Sequence, residues 1–80
     1  MPKSVVVYVT TWCPDCTRAR RVLQRSGIPF REIDIEKIEG AEKEMRALNG
    51  NSGKVPTICI DGQVLVEPDD GALTRALREE

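Results

Sequence analysis

The sequence predicts an α/β chain with elements in the order βαβαββα, a four-stranded mixed sheet flanked by three helices. Three observations lead there. Val5, Val6, Val7, Tyr8 and Val9 form a β-rich run without alternation, the mark of a strand covered on both faces. Apolar residues then recur at helical spacing up to Gly27, with Pro14 where a first helical turn tolerates proline. Further on, Asp61-Gly62 separates two short strand-forming runs, the signature of a hairpin whose two turn residues both take positive φ.

The run Val5 to Val9 is the first strand and belongs at the centre of the sheet. A helix follows from 14 to 26, with Cys16, Ala19, Val22 and Leu23 as its apolar stripe, and it stops at Gly27 with Pro29 beyond. Phe30 to Ile35 reads as the second strand, Ile33 and Ile35 on one face and Glu32 and Asp34 on the other. A strand, helix, strand unit of this kind is normally parallel and right-handed. Ala41, Met45 and Leu48 share a helical face and predict a second helix over 38–48, closed by Asn49-Gly50. Asn51 to Lys54 is a loop, and Thr57 to Ile60 and Gln63 to Val66 are the antiparallel strands of the hairpin. Asp69 or Asp70 then caps a last helix whose stripe is Ala72, Leu73, Ala76 and Leu77.

Eighty residues leave room for one domain, residues 1–80, and none for a second. Thirteen acidic side chains against twelve basic ones, with 40% apolar residues, describe a folded globule with no bulk charge for nucleic acid. That near-neutral sum conceals an asymmetry. Residues 1–31 hold Lys3, Arg18, Arg20, Arg21, Arg25 and Arg31 against Asp15 alone, so they carry +5 and residues 32–80 carry -6. The longest apolar stretch falls far short of the roughly 20 residues that span a bilayer, and no small-residue cleavage site follows it. A soluble, cytoplasmic monomer with no membrane contact is expected.

Three cysteines, Cys13, Cys16 and Cys59, are an odd count that does not suit a secreted disulfide framework. The absence of histidine removes Cys/His and Ser/His catalysis and any mixed Cys and His zinc site. What remains is the stretch Thr11-Trp12-Cys13-Pro14-Asp15-Cys16, which puts one cysteine where the central strand ends and the other inside the first helical turn. Positions i and i+3 bring two side chains together, so the sulfurs can join across a small ring. The helix dipole favours a thiolate at Cys13, which makes Cys13 the nucleophile, and Cys16, on the apolar stripe, the resolving thiol. The carboxylate of Asp15 opposes that thiolate, and the neighbouring arginines oppose Asp15. A zinc ion would need two further soft ligands, and Cys59 is expected to pack in the core as a small hydrophobe.

With these residues the chain resembles a glutaredoxin of the thioredoxin superfamily, and within it the mycoredoxin-like branch. The matching pieces run from Thr10-Thr11-Trp12-Cys13 with Cys16, through Asp34-Ile35-Glu36, Asn49-Gly50, Val55-Pro56-Thr57 and Asp61-Gly62, to Glu67-Pro68-Asp69. The resemblance implies a thioredoxin-like fold and a thiol-disulfide oxidoreductase that reduces protein disulfides or mixed disulfides. It implies that Pro56 is cis and faces the cysteine pair, and that Lys54 and Val55 line a groove for a thiol peptide. Asp69 and Asp70 would meet the charged end of that ligand, and Trp12, Pro14 and Asp15 would complete the docking surface. Glutathione-using members usually carry an aromatic residue in place of Asp15, and often glycines in place of Val66 and Glu67. Mycothiol or bacillithiol therefore stand beside glutathione as the low-molecular-weight thiol co-substrate, with no tightly bound cofactor.

Two other readings remain open on sequence. One is a thioredoxin-like electron donor, for example to ribonucleotide reductase, recharged by a flavoprotein disulfide reductase. The other is an iron-sulfur cluster carrier with the cluster held by Cys13 of two chains and small thiols.

Overall fold

The computed structural model of the chain describes residues 4–78, and the predicted order of elements is the observed one. The strands are β1 (Val5–Val9), β2 (Arg31–Asp34), β3 (Thr57–Ile60) and β4 (Gln63–Val66); the helices are α1 (Pro14–Ser26), α2 (Ala41–Leu48) and α3 (Asp70–Arg78). They form one sheet in the order β2-β1-β3-β4. β1 runs parallel to β2, with Tyr8 opposite Ile33, and antiparallel to β3, with Val7 opposite Ile58. β3 and β4 pair antiparallel, with Cys59 opposite Val64.

The unbroken apolar character of β1 has a direct cause, because both faces are covered. On one face Val5, Val7 and Val9 join Ile58 and Ile60 against Ala19, Val22 and Leu23 of α1 and Leu73, Ala76 and Leu77 of α3. On the other, Tyr8 and Ile33 meet Ala41 and Met45 of α2, with Val6 and Ile35 at the margin. The Tyr8 hydroxyl also donates to Glu44 Oε1 at 2.7 Å, which ties α2 to the sheet. α1 ends as expected at Gly27, whose φ of 72° is left-handed and open to glycine without strain. In the hairpin, Asp61 and Gly62 both have positive φ, 48° and 89°, as a type I′ turn requires.

Four local expectations change. β2 is trimmed to Arg31–Asp34, since the Asp34 carboxylate accepts the Glu36 N–H at 2.9 Å and its carbonyl accepts those of Lys37 and Ile38, folding the chain into turns. α2 begins at Ala41 and not at 38, because Gly40 stands at its N-cap with a φ of 81°. Leu48, expected on the buried stripe, lies in the last turn and is 43% exposed. Cys59, expected in the core, is only half-buried: Ile58 and Ile60 take the face toward α1 and α3, and the opposite face is covered by α2 chiefly over Tyr8 and Ile33. Lys3, counted in the basic third, lies outside the described residues. Among the described residues no helix is long and apolar enough to cross a membrane.

Met45 is 0% exposed and is the largest α2 side chain in its layer. Met45→Ala should therefore lower unfolding free energy by about 2–5 kcal/mol, read from the urea midpoint at constant m-value. Burial, followed by the hydrogen bond and charge of Glu44, pushes the Tyr8 phenol from 10.0 up to about 12. The neutral phenol is thus favoured in the folded state, so its contribution is intact below pH 10 and fades as the pH rises toward 12. Tyr8→Phe should make the alkaline decline in stability shallower across that window in pH-dependent urea melts.

Candidate active site

β1 delivers the chain through Thr10, Thr11 and Trp12 to Cys13, which is the N-cap of α1 with extended backbone, φ -84° and ψ 115°. Its sulfur accepts the N–H of Cys16 at 3.3 Å, satisfying one of the amides that a helix start leaves without a partner. Pro14 takes the first helical position, where it has no N–H to leave unsatisfied. Cys13 and Cys16 are both free thiols, close together, and differ in setting. Cys16 is 1% exposed, and burial first, then the hydrogen bond with Cys13, pushes its thiol from 9.0 up to about 12, with a Thr10 backbone contact and the charge of Arg20 pulling the other way. Cys13 is also buried, at 7% exposed, and its sulfur both accepts the Cys16 N–H and donates to the Val55 carbonyl.

The Val55–Pro56 peptide is cis, Pro56 is buried, and the Val55 carbonyl faces Cys13 Sγ at 3.8 Å. A hydrogen-bonded loop holds this segment. Asn49 Nδ2 donates to Thr57 Oγ1 at 3.0 Å, Thr57 Oγ1 donates to the Lys54 carbonyl at 2.9 Å, and Asn49 Oδ1 accepts from the Ser52 N–H at 2.8 Å. The Glu67 N–H closes the far side on the Pro56 carbonyl at 2.9 Å.

Around this centre the remaining predicted residues fall into four groups. Trp12 is 72% exposed, with its indole N–H on Glu36 Oε1 at 3.0 Å. Lys54 is paired at 3.6 Å with Glu67. Asp15 and Asp70 are brought together by Arg18, which contacts each carboxylate at 3.1 Å and so bridges α1 to α3. Asp69 is the cap of α3, its carboxylate accepting the Ala72 N–H at 2.7 Å. Next to Trp12, the Thr11 hydroxyl donates to Asp34 at 2.8 Å, and this contact with the Glu36 N–H holds the Asp34 carboxyl below its usual range. Among the described residues no three His, Cys, Asp or Glu side chains gather in a metal-holding group.

The bridging role of Arg18, the Asn49–Thr57 clasp and the Trp12–Glu36 contact are absent from the sequence reading. The spacing of Asp15 and Arg18, three residues apart on a helix, signals their pairing. Asp70 lies 52 positions from Arg18, and only the packing of α1 on α3 brings the two together.

A glutaredoxin family model matches residues 5–65. The chain belongs to the glutaredoxin family. It is 43% identical over 56 residues to a glutaredoxin of Pseudomonas aeruginosa, across 70% of this chain and 66% of that one. With glutaredoxin 3 of Escherichia coli it shares 34% identity over 67 residues, 84% of this chain and 80% of the relative. The crystal structure of a glutaredoxin from Archaeoglobus fulgidus matches with a TM-score of 0.86 at 26% identity, covering 95% of this chain and 87% of that one. The architecture is accordingly the thioredoxin-like glutaredoxin fold. Glutaredoxins are thiol-disulfide oxidoreductases that use glutathione as co-substrate, and the paired cysteines at a strand-to-helix junction suit that chemistry.

Thr57 is 0% exposed and carries both hydrogen bonds of the clasp. Thr57→Val should cost about 1–3 kcal/mol by leaving the Asn49 amide and the Lys54 carbonyl short of a partner. Thr57→Ser should keep most of that stability, measured by urea unfolding of the reduced protein.

Proposed function

We propose that this glutaredoxin reduces protein disulfides and mixed disulfides at the expense of a low-molecular-weight thiol, with Cys13 attacking and Cys16 resolving. The observation that carries the reading is the asymmetry of the pair: Cys13 caps the helix and accepts an N–H, and Cys16 is buried behind it with its proton held. In the first step the Cys13 thiolate attacks one sulfur of the substrate disulfide, and the other sulfur departs as a thiolate that takes a proton from solvent. In the dithiol route Cys16 loses its proton and attacks Cys13 Sγ, releasing the substrate thiol and leaving a Cys13–Cys16 disulfide. Two small thiols then restore the pair, the first by forming a mixed disulfide on Cys13 and the second by leaving with it as an oxidised thiol dimer. In the monothiol route a small thiol replaces Cys16 as the attacker.

The docking surface is formed by Trp12, Pro14, Asp15, Lys54, Val55 and Pro56, with Asp69 and Asp70 at the start of α3. Val55 supports this reading because its main chain lies beside the attacking sulfur, where an extended substrate backbone can pair with it. Asp15 distinguishes the groove. Its carboxylate, held by Arg18, stands where glutathione-using members usually carry an aromatic side chain, and mycothiol and bacillithiol, the sugar thiols suggested by the mycoredoxin-like resemblance, stand beside glutathione as candidates. A reducing compartment, the cytoplasm, suits free thiols of this kind.

The test loads a Cys16→Ser variant separately with the oxidised dimers of glutathione, mycothiol and bacillithiol and weighs the intact protein. A single adduct on Cys13 is expected, and the thiol that loads fastest is the co-substrate. No adduct with any of the three, together with rapid direct reduction of the oxidised wild type by NADPH and thioredoxin reductase, would assign the chain to thioredoxin-like donors instead.

A further inference from the structure

Arg46 stands in the last turn of α2, next to the fully buried Met45. Both main-chain groups of Asn51 are bonded to it. The Asn51 N–H donates to the Arg46 carbonyl at 2.8 Å, and Arg46 Nη1 donates to the Asn51 carbonyl at 2.9 Å. Arg46 Nε donates back along the helix to Glu42 Oε2 at 3.0 Å, so the planar guanidinium is held from two sides. Its remaining nitrogen lies against the main chain of Gly53, where an added Cβ would stand 2.5 Å from Nη2 and 3.2 Å from Cζ. Any side chain at 53 therefore has to displace the guanidinium. Gly53 does not have a positive φ, so the close approach of Arg46 is what calls for glycine there. From this clamp a chain of hydrogen bonds leads to the cysteine pair. The Ser52 N–H donates to Asn49 Oδ1 at 2.8 Å, Ser52 Oγ accepts the Lys54 N–H at 3.1 Å, and the Lys54 carbonyl accepts from Thr57 Oγ1 at 2.9 Å. The next residue is Val55, whose carbonyl faces Cys13 Sγ at 3.8 Å. α2 is a firm base for the clamp, because Ala41 and Met45 are buried in its layer and Glu44 accepts the Tyr8 hydroxyl.

We propose that Arg46 is a positioning residue for the docking of peptide disulfides. By clamping Asn51 and seating Gly53 against its guanidinium, it fixes the loop 51–54 and so holds the Val55 main chain where an extended substrate backbone pairs with it. The inference rests on the reading of Val55 as the docking wall. Arg46 acts through the loop and not on the sulfurs, so it governs how well a peptide backbone is bound and leaves the attack of Cys13 on a disulfide unaltered. A lysine in its place keeps the charge but offers one compact donor head, which cannot serve Glu42 and Asn51 together with a flat face for Gly53.

The experiment mixes reduced full-length protein with an excess of two short linear peptides joined by one disulfide. Single-turnover release of the peptide thiols, followed by mass over a range of peptide concentrations, gives a half-saturating concentration and a limiting rate. Hydroxyethyl disulfide, which has no peptide backbone, is the comparison substrate. Arg46→Ala should raise the half-saturating peptide concentration about fivefold with the limiting rate little changed, and should leave the rate with hydroxyethyl disulfide at the wild-type value. Arg46→Lys should recover part of the loss. Gly53→Ala should reproduce the peptide defect with Arg46 in place, and should add nothing in Arg46→Ala, where the space beside residue 53 is already free. Wild-type peptide kinetics in Arg46→Ala, equal slowing on both substrates, or additive losses in the double variant overturns this proposal alone. Equal reduction by wild type of the same peptide N-methylated at the residues flanking its cysteine removes the Val55 docking wall, and this proposal with it.

Discussion

The active site depends on one contact, the sulfur of Cys13 acting as the cap of α1 and accepting the Cys16 N–H at 3.3 Å. The bond places the Cys13 sulfur against the positive end of a helix. It also holds the Cys13 sulfur against the main chain of the second cysteine, since the donor is the Cys16 N–H. The contact needs β1 to end where it does, and β1 ends there because its apolar run is fixed between two packed layers. Strand, helix start and sulfur pair form one continuous piece of chain, braced at the back by α3 through the Arg18–Asp70 bridge.

The opposing wall comes from distant sequence. The segment Lys54–Thr57 is shaped by the Asn49–Thr57 clasp and by the N–H of Glu67 on the Pro56 carbonyl. These are neutral hydrogen bonds around a buried hydroxyl, each modest in net worth and expensive to leave half-made. Rigidity there keeps the Val55 main chain beside Cys13. The electrostatic picture also differs from the simple contrast between a basic first third and an acidic remainder. Arg18 and Arg20 reach across to acids of α3 and β2, so the excess charge of α1 is largely cancelled where it meets the site. Arg21 and Arg25 remain on the exposed face.

Much of this was legible in the sequence, for physical reasons. The order of elements, the parallel unit, the hairpin and the stripe Cys16, Ala19, Val22 and Leu23 follow from periodicity and turn chemistry, which are local. The closeness of the two cysteines was legible because residues three apart at a helix start lie on one side of the same turn. The start of α2 was misplaced because Ile38 continues the apolar pattern although Gly40, in the left-handed region, breaks the helix before it begins. Leu48 and Cys59 were misjudged because an apolar residue is buried only if something covers it, and α2 is short. The contacts between Arg18 and Asp70 and between Asn49 and Thr57 depend on how elements pack, which pattern does not encode.

The central claim is that the two cysteines, both buried, are unequal: Cys13 keeps 7% of its surface exposed against 1% for Cys16, and burial pushes the Cys16 thiol up to about 12. The most direct measurement is timed alkylation of the reduced native protein at neutral pH with iodoacetamide, resolved by peptide mass mapping of each cysteine. Cys13 should be modified well before Cys16, and Cys16 should react readily only after unfolding in denaturant. Modification of Cys16 in the native protein as fast as Cys13 would contradict the account.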